Sequence, residues 1–238
     1  MNKAMKIALL GKGKTGGKVL ELLLESRIQH TVFDSGNPPT KENLINHDII
    51  ISFLPGEAFK NYISLIVETK IPVICGSTGI KFSENFNAEL IANNVTWIYA
   101  TNFSLGMNLV YEMIKVMSNA SKIFPSLTYS LHEIHHTKKL DSPSGTALSW
   151  MSWLNHDVTI TSERIGDVPG IHELSLLTSS EKISIRHEAL DRKIFAEGAL
   201  YAAKKLFTDK TLLPGLHLFQ NIVLDDLHKK EKKNDGDK

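Results

Sequence analysis

The chain has 238 residues, of which 42% are hydrophobic and 22% charged, and its formal net charge is +1. A chain of this length can bury one large core or two modest ones. The balanced charge excludes a strong electrostatic field, so we expect neither nucleic acid nor a membrane as a partner. The single cysteine, Cys75, excludes an internal disulfide and is typical of a reducing compartment. Because the first apolar run has only four residues, too few for a signal segment, we expect a cytoplasmic protein.

About the first hundred residues alternate between short apolar runs and amphipathic segments. The amphipathic segments predict helices over residues 19–28 and near 58–68. Continuous apolar runs are typical of buried parallel strands, and they are predicted at residues 6–10, 30–34, 48–54, 71–75 and 95–100. The alternation predicts an α/β fold with a Rossmann-like, doubly wound parallel sheet. Cys75 falls in one of these runs, so we expect a buried, inert thiol.

The pattern changes after about residue 105. A long apolar helix is predicted over about residues 106–123, a second helix over about 195–207 and a closing segment over 216–227. Alternating apolar and polar residues between the helices predict strands at 127–134, 172–178 and 182–188. This pattern is typical of a smaller α+β domain with an open, mostly antiparallel sheet. The charged tail, residues 228–238, has no apolar periodicity, and we expect it to be frayed.

The predicted domains are therefore not contiguous in sequence. Residues 1–105 together with 193–238 form the first domain, and residues 106–192 form the second. The break lies near Asn102–Gly106, and the last helix returns to the first domain.

A glycine-rich loop lies between the first predicted strand and the first predicted helix. The loop matches G-x-G-x-x-G, and its residues are Gly11, Lys12, Gly13, Lys14, Thr15 and Gly16. Glycines at these positions allow a tight turn and the close approach of a pyrophosphate to a helix N-terminus. The loop therefore predicts a dinucleotide site, with a glycine turn that binds no ligand as the alternative.

Asp34 ends the second predicted strand, at the distance expected for an acid that binds the adenosine ribose. Its charge should disfavour a 2′-phosphate, although Lys12 and Lys14 could partly offset that effect. The predicted cofactor is therefore NADH, with some tolerance of NADPH. The alternative is that Asp34 only forms a turn before Ser35 and Gly36.

The stretch that begins Glu133-Ile-His-His concentrates groups that can donate protons. Imidazoles titrate near neutrality, so His135 or His136 can deliver a proton at little energetic cost. The residues from His132 to His136 also match H-E-x-x-H formally, a zinc-protease pattern that requires a helix. Because the residues from Leu127 onward alternate as in a strand, we predict no metal site here.

The same stretch continues into groups that attract anions. Lys139 can bind a carboxylate or donate a proton, and Gly145 and Thr146 begin an apolar helical run. The first N–H groups of such a helix attract an anion. Together with the histidines, these groups suit a small dianionic substrate that must be protonated. The alternative is a polar strand end followed by a capped helix, without a ligand.

The order Glu-Ile-His-His-x-x-Lys-x-Asp-Ser-Pro-Ser-Gly-Thr-Ala resembles the signature of the dihydrodipicolinate reductase family. The resemblance covers most of the chain. The glycine loop, Cys-Gly-Ser-Thr-Gly at 75–79, Tyr-Ala-Thr-Asn-Phe-Ser at 99–104 and Phe-Ala-Glu-Gly-Ala at 195–199 follow in the family's order. The signature is highly specific, and the other segments support it.

The resemblance implies a role for each matching residue. His135 would be the proton donor or acceptor and Lys139 the second proton donor. The substrate's carboxylates would bind His136, Gly145 and Thr146. The loop from Gly11 to Gly16 would bind the pyrophosphate and Asp34 the ribose. The nicotinamide end would be lined by Gly76, Ser77, Thr78, Ala100, Thr101, Asn102 and Phe103.

The resemblance also implies the reaction and the assembly. The reaction would be the NAD(P)H-dependent reduction of 4-hydroxy-tetrahydrodipicolinate, a small cyclic imine with two carboxylates, in lysine and diaminopimelate biosynthesis. The first domain would bind the dinucleotide, and the second would bind the substrate and form a homotetramer. Two alternatives remain open on the residues alone. They are another Rossmann oxidoreductase, of the semialdehyde or amino-acid dehydrogenase type, and a non-catalytic dinucleotide sensor.

Overall fold

The computed structural model describes residues 3–209 and 211–229, and the chain divides into two compact units. One unit is Met1–Phe103 with Phe195–Lys238, and the other is Ser104–Ile194. Most of the predicted frayed tail, from residue 230 on, lies outside the described residues. Within the described ranges, no helix is both long and apolar enough to cross a membrane.

The first unit is built on a six-stranded sheet with the order β10-β5-β4-β3-β1-β2, and every pairing in it is parallel. The predicted Rossmann-like sheet is therefore confirmed. Its strands are β1 (Lys6–Leu10), β2 (Gln29–Phe33), β3 (Ile49–Ser52), β4 (Val73–Cys75), β5 (Thr96–Tyr99) and β10 (Gly215–Leu218). Its helices are α1 (Lys14–Glu25), α2 (Lys41–Leu44), α3 (Gly56–Lys60), α4 (Ile63–Thr69), α5 (Phe86–Ala92), α8 (Lys193–Thr208) and α9 (Phe219–His228).

The apolar runs form the strands because both faces of this sheet lie in the core. All four residues of β3 are buried, and so are the last four of β1. Cys75 is fully buried, as predicted, and burial raises the pKa of its thiol to about 12. A thiol with that pKa carries almost no thiolate at neutral pH, so it is not a nucleophile.

The structure corrects the sequence reading of the first unit at several places. The helix predicted near residues 58–68 is divided into α3 and α4 by Asn61 and Tyr62. The predictions missed α2 and α5, and the closing segment contains a strand, β10, before its helix. These elements have only four to seven residues, too few for a periodic pattern to stand out.

The second unit contains a four-stranded sheet with the order β7-β6-β8-β9. Its β6–β8 and β8–β9 pairings are antiparallel and its β6–β7 pairing is parallel, so the prediction of a mostly antiparallel sheet is confirmed. The strands are β6 (Thr128–His135), β7 (Thr159–Arg164), β8 (Ile171–Leu177) and β9 (Lys182–Glu188). The helices are α6 (Leu105–Ser118), which a 3₁₀ turn extends over Asn119–Lys122, and α7 (Gly145–Leu154).

Strand β6 has one buried face and one more exposed face. Tyr129, Leu131, Glu133 and His135 are buried, whereas the residues between them are exposed or half-buried. The buried face belongs to a core that includes residues of α6 and α7, such as Ile114 and Trp150. Two charged or titratable side chains, Glu133 and His135, thus occupy positions at which the alternation would place apolar residues.

Strand β7 was not predicted from sequence. It lies within residues 155–170, which the sequence shows as a compact interval between α7 and β8. Its residues, Thr-Ile-Thr-Ser-Glu-Arg, alternate, but they include a single strongly apolar side chain. As an edge strand paired to β6 alone, β7 needs little apolar surface, and its sequence therefore carries a weak signal.

Candidate active site

The glycine loop turns sharply between β1 and α1. Gly11 has φ +88°, in the left-handed region that favours glycine, and its N–H donates to Phe33 O at 2.8 Å. A Cβ added at Gly16 would lie 2.0 Å from Gly11 O. The close approach of α1 to the end of β1 therefore requires glycine at position 16.

Gly13 has a different environment from its neighbours in the loop. It is the N-cap of α1, and among the described residues no heavy atom other than those of its chain neighbours lies within 4 Å of a Cβ added there. The chain's own packing therefore does not require glycine at this position, which is open toward the first turn of α1. Lys12 and Lys14 flank it and are exposed, and Thr15 is half-buried. An open glycine at a helix N-terminus fits the close approach of a pyrophosphate.

Asp34 follows β2. Its carboxylate forms the turn that was the predicted alternative to ribose binding. Its Oδ1 accepts hydrogen bonds from the N–H groups of Gly36 at 2.9 Å and Asn37 at 3.1 Å. Its Oδ2 lies 2.7 Å from Lys12 Nζ. The bond from Lys12, together with that from Gly36, holds the pKa of the carboxyl below its usual value, so Asp34 is ionised at neutral pH.

The residues after β4 are tightly constrained. A Cβ added at Gly76 would lie 2.3 Å from the ring of Phe53, so this aromatic side chain requires glycine there. Ser77 is fully buried, and its Oγ lies 3.0 Å from Ser52 Oγ. Thr78 O accepts a hydrogen bond from the N–H of Gly56 at 3.1 Å. These contacts fix the backbone of the predicted nicotinamide segment.

The segment from Ala100 to Phe103 follows β5. Ala100 N donates to Cys75 O at 3.2 Å, and Thr101 is exposed. Phe103 is buried and packs edge to face against Phe53, with ring centroids 5.9 Å apart. A Cβ added at Gly198 of α8 would lie 1.7 Å from Phe103 O, which explains the glycine in the sequence Phe-Ala-Glu-Gly-Ala.

The predicted dinucleotide-binding segments therefore share one place in the fold. The glycine loop, Asp34, Gly76–Thr78 and Ala100–Phe103 follow β1, β2, β4 and β5, respectively. The carboxyl ends of parallel strands meet at one edge of a sheet, which is where open α/β sheets bind nucleotides. The residues at this edge fit a nicotinamide dinucleotide, because the position of Gly13 is open and the loop precedes a helix N-terminus.

In the second unit, His135 is the last residue of β6, and its side chain is 8% exposed. The ring packs edge to face against His172, with centroids 4.9 Å apart. A Cβ added at Gly170 would lie 3.1 Å from His135 Nε2. Burial lowers the pKa of His135, while the nearby carboxylate of Glu133 acts in the opposite direction.

The loop between β6 and α7 carries the other predicted polar groups. Lys139 Nζ lies 2.7 Å from Asp141 Oδ1, and Lys139 N donates to His136 O at 3.1 Å. The bond from Lys139 lowers the pKa of Asp141. The side chain of Lys139 is 22% exposed, so its ammonium group is partly accessible from solvent.

Helix α7 starts at the end of this loop. Ser144 is its N-cap, and its Oγ accepts a hydrogen bond from Ala147 N at 3.1 Å. Gly145 is exposed, and in the described part of the chain no heavy atom outside its chain neighbours and its own helix backbone lies within 4 Å of an added Cβ. Thr146 is half-buried. The open first turn of a capped helix is an anion-binding feature.

The strand assignment contradicts a zinc-protease site of the H-E-x-x-H type. His132 lies on the face of β6 opposite to Glu133 and His135, where it contacts Thr161 and Glu163 of β7. His132, the first histidine of the pattern, therefore lies on a strand and not on a helix whose face it could share with His136, as that chemistry requires.

The structure also shows a buried group to which sequence reasoning assigned no role. Glu133 is fully buried, and its carboxylate contacts Arg164 of β7 at 3.2 Å and His172 of β8 at 3.6 Å. The alternation in β6 was an available signal, because it places this acid on the apolar face beside Leu131. Arg164 and His172 had no local signal, since strand pairing alone brings them to the site.

A parallel sheet with this glycine loop is typical of a dinucleotide-dependent oxidoreductase of the Rossmann type, and in the second unit His135 and Lys139 precede the N-terminus of α7. Family models for dihydrodipicolinate reductase match the chain over most of its length. The model described as the N-terminus matches residues 5–103, and that described as the C-terminus matches residues 106–222. The chain therefore belongs to the dihydrodipicolinate reductase family.

Two relatives are similar over nearly their full length. A 4-hydroxy-tetrahydrodipicolinate reductase of Thermosipho africanus (strain TCF52B) is 30% identical over 227 residues, which cover 92% of this chain and 98% of the relative. One of Christiangramia forsetii (strain DSM 17595 / CGMCC 1.15422 / KT0803) is 33% identical over 241 residues, with coverages of 93% and 98%.

Solved structures share the fold. A dipicolinate-bound dihydrodipicolinate reductase from Paenisporosarcina sp. TG-14 superposes with a TM-score of 0.73 at 20% identity, covering 92% of this chain and 100% of that one. An aspartate dehydrogenase from Thermotoga maritima gives a TM-score of 0.51 at 15% identity, covering 88% and 99%. The architecture is thus common to several dehydrogenases, and the family is defined by the sequence matches.

Proposed function

We propose that the chain reduces 4-hydroxy-tetrahydrodipicolinate to tetrahydrodipicolinate with a nicotinamide dinucleotide, in lysine and diaminopimelate biosynthesis. Overall, the substrate gains a hydride and a proton and loses water. The observation that carries the proposal is the segment from His135 to Thr146, which combines the proton donors His135 and Lys139 with the open N-terminus of α7. The family's relatives bear the name of this reaction.

Each unit has a proposed task. The unit that contains the glycine loop binds the dinucleotide, which supplies the hydride when bound. The loop and the N-terminus of α1 hold the pyrophosphate. Gly76, Ser77 and Thr78, together with Ala100–Phe103, line the nicotinamide end, where the packing around Phe53 keeps their backbone in place. The unit that contains β6 binds the substrate.

The substrate's two carboxylates require positive charge and N–H donors. We assign this role to His136 and to the first turn of α7, through Gly145 and Thr146. A preorganised set of donors fixes the ring so that the acceptor carbon faces the hydride donor. Hydride addition leaves electron density on the ring nitrogen, and a neighbouring acid must neutralise it. His135 delivers that proton, and Lys139, as the second proton donor, protonates the hydroxyl group that leaves as water.

The proposal is tested by NADH oxidation with the condensation product of pyruvate and aspartate semialdehyde. His135→Gln and Lys139→Ala should each lower kcat by about 10²–10⁴-fold, the range for loss of a positioned proton donor, with little change in the Kd of NADH. His132→Gln, on the opposite face of the same strand, and Lys138→Ala are matched controls and should retain activity within about threefold. Unchanged turnover in both His135→Gln and Lys139→Ala would contradict the assignment of these residues as proton donors.

The same assay separates the two alternatives. A non-catalytic sensor would bind NADH without oxidising it, and an amino-acid or semialdehyde dehydrogenase would turn over a different substrate. The sensor would leave the titratable groups beside the N-terminus of α7 without a role. A semialdehyde dehydrogenase would need a cysteine nucleophile, and Cys75 is fully buried with a raised thiol pKa.

We further propose that NADH is preferred and NADPH is tolerated. Asp34 is ionised and would repel a 2′-phosphate, whereas its Oδ2 can accept from a ribose hydroxyl. Lys12, which pairs with Asp34 at 2.7 Å, supplies the charge that makes the phosphate tolerable. Two N–H groups bind the other carboxylate oxygen, so the orientation of the acid is fixed before a cofactor arrives.

Cofactor preference is measured as the ratio of kcat/KM for NADH to that for NADPH. Lys12→Ala should raise this ratio about tenfold, and Asp34→Asn should lower it, because each removes a charge next to the 2′ position. Lys18→Ala is the matched control, since Lys18 pairs with Glu21 one turn into α1. A wild-type ratio that favours NADPH tenfold would overturn the proposal.

We propose that the protein forms a homotetramer and that it is located in the cytoplasm. The tetramer rests on the family resemblance, and the cytoplasmic location rests on the single buried cysteine, which is typical of a reducing compartment. Light scattering of the purified protein should give four times the chain mass of 26.6 kDa, and a monomer mass would contradict the tetramer.

A further inference from the structure

A buried polar cluster adjoins His135, and the proton-transfer roles proposed above do not use it. At its centre is Glu133, which is fully buried on the same face of β6 as His135. The sheet registers bring Ser162 of β7 and His172 of β8 to positions directly beside Glu133, and Arg164 to the position beside His135. A fully buried carboxylate is costly unless its charge is compensated, so its presence requires a reason.

The carboxylate of Glu133 is held in its charged form. Ser162 Oγ donates to Oε1 at 2.8 Å, and Arg164 Nη2 donates to the same oxygen at 3.2 Å. The N–H of Ser144, at the start of α7, lies 3.0 Å from Oε1 and 3.2 Å from Oε2. Burial raises the pKa of this carboxyl, but the hydrogen bonds from Ser144, Ser162 and Arg164 outweigh it and lower the pKa to about 2.

The second oxygen of Glu133 faces two imidazoles. Oε2 is 3.6 Å from His135 Nδ1 and 3.6 Å from His172 Nε2. Among the described residues, Nδ1 of His135 is buried and has no hydrogen-bond partner. A small rotation of the His135 ring would shorten the gap to a hydrogen bond. Nε2 of His135 is then the nitrogen left to serve a substrate.

We propose that Glu133 is a positioning residue that holds the Nδ1 proton of His135 and so presents a protonated Nε2 to the substrate. This inference rests on the role proposed above for His135. In the charged ring both nitrogens bear protons, with Nδ1–H directed at Glu133 Oε2. Nε2 gives its proton to the substrate, the neutral ring keeps the Nδ1 proton, and solvent returns a proton to Nε2. The carboxylate remains ionised throughout.

The surroundings explain why His135 needs such a counter-charge. Burial is the largest influence and lowers the pKa of His135, and the cations Lys139 and Arg164 lower it further. Only a protonated ring can act as the acid, so these influences oppose catalysis at neutral pH. The groups that face His135 are Glu133 on its own strand, Arg164 on β7, His172 on β8, and Lys139 and Asp141 in the loop before α7.

A metal site is the alternative use of the same atoms. Glu133, His135 and His172 each offer one ligand atom, and these atoms lie within 4.8 Å of one another. The guanidinium of Arg164 contacts the same carboxylate, however, and would repel a divalent cation. The geometry therefore favours a proton at this place, and a metal is an outcome that the test must separate.

The test compares the pH dependence of kcat in wild type and Glu133→Gln, with the ¹⁵N chemical shifts of the His135 ring measured in parallel. Loss of the nearby anion should move the basic limb of kcat to lower pH by about one pH unit, which is about a tenfold loss of kcat at a pH on that limb. The ring should also lose its fixed Nδ1–H tautomer. The KM of the substrate should change by less than about threefold. Glu163→Gln, which replaces an exposed acid on the opposite face of the sheet, is the matched control and should leave the limb in place.

A second variant keeps the proposal testable if Glu133→Gln does not fold. Arg164→Gln removes a cation that acts against the protonated ring, so the basic limb should move to higher pH, opposite in sign. If the basic limb of the pH profile of kcat coincides with that of wild type in every folded variant, the inference is wrong. The inference is also wrong if a chelator added to wild type reproduces the effect of Glu133→Gln, because the cluster would then hold a metal.

The inference and the proposed function fail in different ways. If His135→Gln retains full turnover, the role proposed for His135 is wrong, and the inference fails with it. If His135→Gln is inactive while Glu133→Gln and Arg164→Gln leave the pH profile and the ring tautomer unchanged, the proposed function stands and the inference alone is wrong.

Discussion

The two proposed sites, one in each half of the molecule, are built in different ways. The dinucleotide edge of the first sheet is made mostly of backbone, and its requirements are steric, as at Gly16 and Gly76. The site around His135 is made of side chains, and its requirements are electrostatic, with a buried acid held by Ser144, Ser162 and Arg164. The stability of the backbone site should therefore be most sensitive to added volume, whereas the side-chain site should be most sensitive to changes of charge and pH.

The largest effect that separates the two halves should come from Gly16→Ala. The added Cβ would lie 2.0 Å from Gly11 O, so either α1 or the end of β1 must shift. We expect this substitution to lower the free energy of unfolding by about 3 kcal/mol, at the upper end for overpacking. Gly13→Ala is the matched control in the same loop. The added Cβ meets no atom of the described residues within 4 Å beyond its chain neighbours, and the substitution should cost about 0.5–1 kcal/mol through a poorer N-cap.

Urea unfolding of both variants measures this difference directly. Equal unfolding midpoints for Gly16→Ala and Gly13→Ala would show that the loop relaxes, and the steric description of the dinucleotide edge would then be wrong.

The side-chain site should respond to acid instead. Burial lowers the pKa of His172 from its usual 6.5 to about 4. Between these values the unfolded chain binds a proton at His172 that the folded chain does not bind. Stability is therefore fully present above pH 6.5 and falls as the pH drops toward 4, by up to about 3 kcal/mol from this group.

Thermal unfolding from pH 7 to pH 4 measures this loss. The unfolding temperature should fall less steeply with decreasing pH in His172→Gln than in wild type. His132→Gln, on the more exposed face of the sheet, should behave as wild type does. A slope that His172→Gln leaves unchanged would show that His172 is not the group responsible.

The same difference explains how much the sequence could predict. Apolar runs and the glycine spacing are local signals, and they predicted β1, the loop and Asp34 in their correct places. The strand β6 was also predicted, because its alternation continues as far as His135. What was missed depends on pairing between distant segments. Arg164 reaches Glu133 only because β7 pairs with β6, and no local pattern shows which strand will be the neighbour.

Asp34 shows a further limit of sequence reasoning. The spacing predicted a ribose-binding acid, and the alternative was a turn former. In the structure the carboxylate forms the turn with one oxygen and pairs with Lys12 through the other. One residue thus serves two structural roles, and a spacing rule that assigns a single role per residue cannot anticipate this.

The division of labour between the two halves is tested most directly by measuring the Kd of NADH and the kcat for NADH oxidation in Gly13→Ala and His135→Gln. We predict that Gly13→Ala raises the Kd about tenfold, because its Cβ fills the position left open for the pyrophosphate. We predict that His135→Gln lowers kcat by at least about 10²-fold, with a Kd within about threefold of wild type. A His135→Gln enzyme that turns over normally, or that loses NADH affinity as strongly as it loses turnover, would contradict the separation of hydride and proton sites.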